Sequence, residues 1–177
     1  MNKKLKLEEL NRLSVLEFKA LEKDPIIVLL DDVRSLNNIG SIFRTCDAMG
    51  VKKMYLCGIT AQPPHREIRK TAIGASKSMD WEYEKNAAEI VKKYRELDYK
   101  IIAVEQTSKS VSLENYQLNN RHSLLIFGNE INGVSQKLID LCDLTLEIPQ
   151  WGTKHSMNIS VSLGVVLWDL KKQSIIK

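Results

Sequence analysis

Residues 25–51, PIIVLLDDVRSLNNIGSIFRTCDAMGV, decide the fold class. The run IIVLL (26–30) is short and continuously apolar, the pattern of a parallel strand covered on both faces. Asn37 or Asn38 stands where a side chain can cap a helix running towards Met49, and Gly50 ends that helix. A buried strand followed at once by a helix is the unit from which parallel α/β sheets are assembled.

The same order continues downstream. Residues 53–57 read as a strand, a Pro-containing loop follows, and residues 86–97 read as a helix. Strands are predicted at 100–104 and 123–127, a short helix at 134–141, and a last strand at 144–148 that Pro149 breaks. The final helix is predicted from Ser156, as its cap, to about residue 172. Upstream, leucines 10, 13, 16 and 21 recur among Lys and Glu, so residues 5–21 predict one amphipathic helix that stops at Asp24-Pro25. The expected architecture is α/β: a mostly parallel sheet with helices on both faces, in one domain over 25–177, behind a helical extension over 1–24. Ligands of such sheets bind at the strands' carboxyl ends, here the loops after Leu30, Val104, Phe127 and Ile148.

Composition narrows the chemistry. Of 177 residues, 44% are hydrophobic and 27% charged, ordinary for a globular domain. No window approaches the roughly 20 apolar residues of a membrane span, and the amino terminus lacks a signal-peptide core, so a soluble cytoplasmic protein is expected. Cys46, Cys57 and Cys142, like His65, His122 and His155, are too scattered for a zinc set or disulfide framework; reduced thiols and no metal are expected. No G-x-G-x-x-G, G-x-x-x-x-G-K-[ST] or G-x-S-x-G occurs, which removes the usual dinucleotide, triphosphate and hydrolase signatures. The net charge of +4 is mild; Lys52, Lys53, His65, Arg66, Arg69, Lys70 and Lys77 form a locally basic stretch that on charge alone fits phosphates or a plain solvated surface equally well.

Three segments at strand ends carry the specific signal: residues 30–51 with Asn38, Gly40 and Arg44; LLIFGNEINGVS (124–135) with Gly128, Asn129, Glu130 and Gly133; and IPQWGTKHSMNISVSLGVVLWDL (148–170) with Pro149, Gly152, Ser156 and Asn158. Taken in order, they closely resemble the three motifs of the SpoU/TrmH family of RNA 2′-O-ribose methyltransferases, within the SPOUT superfamily. Met157 stands where leucine is common in that family.

The resemblance implies a deep trefoil knot in the carboxyl-terminal part of the 25–177 SPOUT domain, and S-adenosyl-L-methionine bent within it. Val104, Gly128, Ile148 and Met157 are then expected to touch the cofactor, and Arg44, Asn38, Glu130, Ser156 and Asn158 to serve catalysis. Asn38 and Ser156 also have a plain reading as helix caps, Arg44 as a surface residue, and the glycines as positive-φ turn residues. The resemblance further implies an RNA partner and a homodimer, for which Leu163, Val166, Leu167 and Trp168 offer apolar residues at helical spacing. VEQTSKSVSLENY (104–116) and IPQ (148–150) are similar to eukaryotic enzymes acting on guanosine 18 of the tRNA D-loop. Another tRNA position, rRNA, a small-molecule methyltransferase and an inactive knotted RNA-binding module are the alternatives.

Overall fold

A computed structural model describes residues 1–118 and 122–175; positions 176–177, the end of the expected domain, lie outside the described residues. The strand β1 (Ile26–Asp31) is buried at every position, as a two-sided parallel strand must be. It is followed by α2 (Leu36–Ala48), β2 (Lys53–Cys57), α3 (Arg66–Ala72), α4 (Ala75–Ser78), β3 (Trp81–Glu84) and α5 (Ala87–Glu96). Then come β4 (Lys100–Val104), β5 (Val111–Ser112), β6 (Ser123–Phe127), α6 (Gln136–Ile139), β7 (Leu144–Glu147) and α7 (Ile159–Ile175); α1 (Val15–Ala20) precedes them all.

Seven strands form one sheet in the order β3-β2-β1-β6-β4-β7-β5, and every pairing is parallel. Alternation along β1 divides the core. Ile26, Val28 and Leu30 point to the face covered by α2, α3 and α7, through Ile42, Phe43, Ile68, Leu163, Val166 and Leu167. Ile27 and Leu29 point to the face covered by α5 and α6, through Ile90, Val91, Tyr94 and Leu138. Helices therefore cover both faces, as the sequence predicts.

Several expectations need correction. Residues 5–21 do not form one helix: a 3-10 turn at Leu7–Leu10 ends at Asn11, whose φ of 47° breaks the register, and α1 starts only after Ser14 caps it. Neither piece fully buries a residue: Phe18 packs partly on the core, but leucines 10, 13, 16 and 21 stay exposed, so the predicted stripe is not covered. The predicted loop after β2 contains α3, α4 and β3, which lack a strong apolar period of their own. Ser35, not Asn37 or Asn38, caps α2: its hydroxyl accepts from the Asn38 N–H at 3.3 Å. The last helix starts at Ile159, and Asn158 rather than Ser156 caps it, its Oδ1 accepting from the Ser160 N–H at 2.9 Å. Leu163, Val166 and Leu167 are fully buried in the core of their own chain and cannot serve as interface residues. The exposed stripe of α7 is instead Val161 (51%), Val165 (37%) and Trp168 (61%), at i, i+4 and i+7.

Two glycines show why the first motif is built as it is. A Cβ on Gly40 would collide with the Thr71 hydroxyl and the Ile68 carbonyl, so α2 and α3 touch backbone to side chain. The Thr71 hydroxyl donates to the Asn37 carbonyl at 3.2 Å across that contact. Gly50 follows α2 with a φ of 61°, the left-handed conformation a helix end favours for glycine.

Candidate active site

The carboxyl ends of β4, β6 and β7 open on a cleft of about 530 Å³, inside the roughly 300–1,000 Å³ range of small-molecule and cofactor sites. Its walls include Val104, Gly128, Ile148 and Met157, the four residues expected to hold a cofactor. Glu130, Ser156 and Asn158 line the same cleft. Phe127 and Leu146 add apolar surface, while Glu105, Gln106, Asn129 and Glu147 add polar groups. Such a mixed lining fits a ligand that pairs a flat aromatic base with polar and charged ends.

Gly128 does not adopt a positive φ, so the turn reading does not hold for it. A Cβ there would collide with the backbone of Gly133 and Val134; the residue is small because two backbones meet. Gly133 does have a positive φ of 66°. Asn129 and Gly133 exchange both backbone hydrogen bonds at 2.9 Å, closing the 129–133 loop, and the Asn129 side chain accepts from the N–H groups of Ile131 and Asn132. Its Nδ2 donates to the Asp32 carbonyl at 2.7 Å, fastening this loop to the end of β1. Gly152 has neither a positive φ nor a neighbour within 4 Å of a Cβ.

Asn38, at the start of α2, joins two cleft residues into a chain. Its Nδ2 donates to Glu130 Oε1 at 3.2 Å, and its Oδ1 accepts from Asn158 Nδ2 at 3.1 Å. Glu130 also accepts from the backbone N–H groups of Arg34 at 3.0 Å and Ser35 at 2.9 Å. Burial alone would raise the pKa of this carboxyl, but the donated hydrogen bonds of Arg34, Ser35 and Asn38 outweigh it and hold the group below its ordinary value. A carboxylate occupied by three donors is a poor base and a good anchor. Side chains from all three motifs thus meet in one network, although they lie up to 120 positions apart in sequence.

Arg44 stands elsewhere. It is exposed on α2 and lines a separate groove of about 560 Å³ with Ser41, Thr45, Lys70 and Ile73, sharing no wall residue with the cleft. Six residues along an α-helix amount to about 9 Å of rise and about 120° of net rotation from Asn38, so Arg44 cannot share its face. Lys70, from α3, lines this groove with Arg44, and Arg66 and Arg69 are exposed on the same short helix. The cysteines take no part: burial pushes the Cys57 and Cys142 thiols up to about 12, far from the thiolate form needed for reaction.

Sequence reasoning assigned no role to Glu105 and Gln106, although both line the cleft. The signal was their place immediately after β4, where side chains of a parallel sheet reach its ligand site. Trp151 is 89% exposed at the outer end of the cleft's loop, and Trp81 packs edge-on against Phe43. Among the described residues, no helix is long and apolar enough to cross a membrane.

Known proteins place this geometry in a family. The model of the SpoU rRNA Methylase family matches residues 25–168. The 23S rRNA (guanosine-2′-O-)-methyltransferase of Neisseria meningitidis is 30% identical over 158 residues, covering 89% of this chain but only 62% of that protein. The tRNA (guanosine(18)-2′-O)-methyltransferase of Aquifex aeolicus is also 30% identical over 158 residues, covering 86% of this chain and 71% of that protein. Among solved structures, the A. aeolicus TrmH/SpoU tRNA modifying enzyme superposes with a TM-score of 0.81 at 24% identity, over 92% of this chain and 83% of its own. The SpoU methyltransferase AviRb of Streptomyces viridochromogenes, solved in complex with AdoMet, gives 0.79 at 24% identity over 92% of this chain and 65% of its own. With a family model spanning 25–168 and its three motifs gathered at one end of the sheet, the chain belongs to the SpoU rRNA methylase family.

Proposed function

We propose that the protein is a cytoplasmic RNA methyltransferase that transfers a methyl group from S-adenosyl-L-methionine to a ribose 2′-hydroxyl. The observation that carries this reading is the convergence of Val104, Gly128, Ile148 and Met157 on one cleft whose rim holds the Glu130–Asn38–Asn158 network. S-adenosylmethionine supplies a methyl group already activated by its sulfonium charge, so the protein's task is alignment and removal of one proton. Val104, Ile148 and Met157 would pack on the apolar parts of the cofactor, and Gly128 would leave its backbone open to the polar ones. Family membership supports a carboxyl-terminal trefoil knot around this cleft, in a domain over 25–177 that follows the extension 1–24.

Arg44 would meet the ribose. Guanidinium groups keep their proton at neutral pH, so Arg44 acts by position: it stabilises charge developing on the 2′-oxygen while an RNA phosphate accepts the proton. Asn38 and Glu130 fix the start of the helix that carries Arg44, and Ser156 and Asn158 orient the ribose at the cleft's rim. Because Arg44 shares no wall with the cleft of its own chain, we infer a homodimer in which Arg44 serves the cleft of the other copy. The exposed stripe Val161, Val165 and Trp168 on α7, which packs on α2, supplies an apolar contact for that pairing. Sedimentation should then report twice the 20.2 kDa of the chain; a monomer at micromolar concentration refutes the pairing.

We take guanosine 18 of the tRNA D-loop as the target, supported by the Aquifex relative and by Lys70, which shares the groove of Arg44. A second reading, rRNA, is supported by the equally similar Neisseria relative. Labelled S-adenosylmethionine, the purified protein and a tRNA transcript with that guanosine changed to adenosine decide between them. Loss of labelling on the changed transcript is expected; full labelling overturns the target, and labelling of rRNA alone selects the second reading.

A further inference from the structure

The segment 149–157 gives the cleft one wall, through Gln150, His155, Ser156 and Met157, and it is weakly held. Residues 150–156 are all exposed, and a Cβ on Gly152 would meet nothing within 4 Å. Among the described residues, one hydrogen bond ties 149–157 to the rest of the chain: Gln106 Nε2 donates to the His155 carbonyl at 2.7 Å. Segments with few buried contacts and exposed backbone open at low cost, so a single polar tether has a large share in setting their position.

Gln106 is itself firmly rooted. The preceding residue, Glu105, accepts from the Gln106 N–H through Oε1 at 2.8 Å and from the Val134 N–H through Oε2 at 2.9 Å. The Glu105 N–H donates to the Leu146 carbonyl at 2.9 Å, which continues the β4–β7 pairing beyond Val104. A Cβ on Gly133 would fall on the Glu105 carboxylate and push it from these hydrogen bonds. One dipeptide thus grips both other cleft loops, Glu105 the inner one at 128–134 and Gln106 the outer one at 149–157.

We propose that Gln106 is a positioning residue that latches the 149–157 loop as one wall of the cleft, with Glu105 as its fixed base, and thereby sets the affinity for the methyl donor. The latch acts before RNA arrives and carries no charge to the reaction. It rests on the reading of this cleft as the cofactor site.

Gln106→Glu keeps the size of the side chain and removes the donor, placing a carboxylate oxygen against the His155 carbonyl; Gln106→Ala removes the contact without repulsion. For anisotropy alone both are also built in a Trp81→Phe, Trp168→Phe background, so that Trp151 reports on the loop; thermal midpoint, affinity and rate are measured in the otherwise unchanged chain. Without ligand, Trp151 anisotropy should fall in both variants while the thermal midpoint stays within about 2 °C, because Gln106 is exposed. Calorimetry with S-adenosylmethionine should show affinity lower by about three- to tenfold for Gln106→Ala, the worth of one net hydrogen bond, and lower still for Gln106→Glu. At saturating cofactor the methylation rate should remain within twofold. Unchanged anisotropy overturns the latch, and so does wild-type affinity in Gln106→Glu or a fall confined to the rate. If the parent protein binds no S-adenosylmethionine, the cofactor reading and the affinity claim both fail, while anisotropy still judges the latch by itself.

Discussion

Replacing Glu130 by glutamine tests whether its carboxylate anchors α2 rather than acting as a base. Three donors reach it: the N–H groups of Arg34 and Ser35 at 3.0 and 2.9 Å, and the Asn38 amide at 3.2 Å. Glutamine offers one oxygen and one amide, so if the oxygen serves Ser35 and Asn38 the amide must face the Arg34 N–H, donor against donor. Hydrogen bonds to charged groups contribute about 1.5–3 kcal/mol, and leaving a donor unpaired costs about 1–3 kcal/mol. Glu130 is exposed, so water relieves part of that loss. Losing a negative charge at a helix start adds about 0.3–1 kcal/mol. The expected deficit for Glu130→Gln is therefore about 1–2 kcal/mol at neutral pH, read from urea unfolding. Its pH dependence has a definite sign. The carboxyl is held below its ordinary value when folded, so its contribution is present above the ordinary carboxylate range and lost as pH falls through the depressed folded value. Parent and variant should converge only in acid, below that depressed value, where the carboxyl is protonated in both states. Equal stability at pH 7, or a deficit that persists unchanged in acid, refutes the anchoring role.

Gly40→Ala should destabilise by about 1–3 kcal/mol in urea unfolding, since overpacking α2 against α3 outweighs the gain in helix propensity; a more stable variant would show that the contact yields. Arg44→Ala should abolish methyl transfer in single-turnover assays while calorimetric affinity for S-adenosylmethionine stays within twofold, because Arg44 is outside its own chain's cleft and is proposed to meet the ribose side of the other copy's. Joint loss of binding and rate would place Arg44 on the cofactor side after all. Replacing Arg66, Arg69 and Lys70 together should weaken tRNA binding and reduce the slope of log affinity against log salt by about 0.9 for each phosphate no longer neutralised, leaving cofactor affinity intact; an unchanged slope would remove α3 from the RNA surface.

How much was legible in the sequence depended on whether local pattern or tertiary contact fixes each element. The buried strands at 26–30, 53–57, 100–104 and 123–127 were readable because two-sided burial demands continuous apolar runs. α3, α4 and β3 were not, because Ile68 and Ala72 acquire their meaning only from packing against α2. The amino-terminal leucines misled for the opposite reason: a helical period promises a helix only if something covers it. The cleft residues Val104, Gly128, Ile148 and Met157 came from the resemblance, and the structure brings them together. No spacing could have shown that Asn38 bridges Glu130 and Asn158, or that Leu163 and Leu167 face inward while Trp168 faces out.

The decisive element for function is α2, a single rigid helix with three tasks on three faces. Ile39, Ile42, Phe43 and Cys46 bury one face against the sheet, which fixes the helix in rotation. Asn38, at its first turn, is pinned between Glu130 and Asn158 at the rim of the cleft, which fixes it along its axis. Arg44 follows from those two constraints, since about 1.7 helical turns separate it from Asn38 and neither rotation nor sliding is left free. Fixing the backbone at Arg44 fixes where its side chain leaves the helix, on the side of the groove and not of the cleft. The cleft and the arginine groove are thus aimed in different directions by the same helix, and under the proposed function a second copy of the chain is the simplest body that brings one of each together.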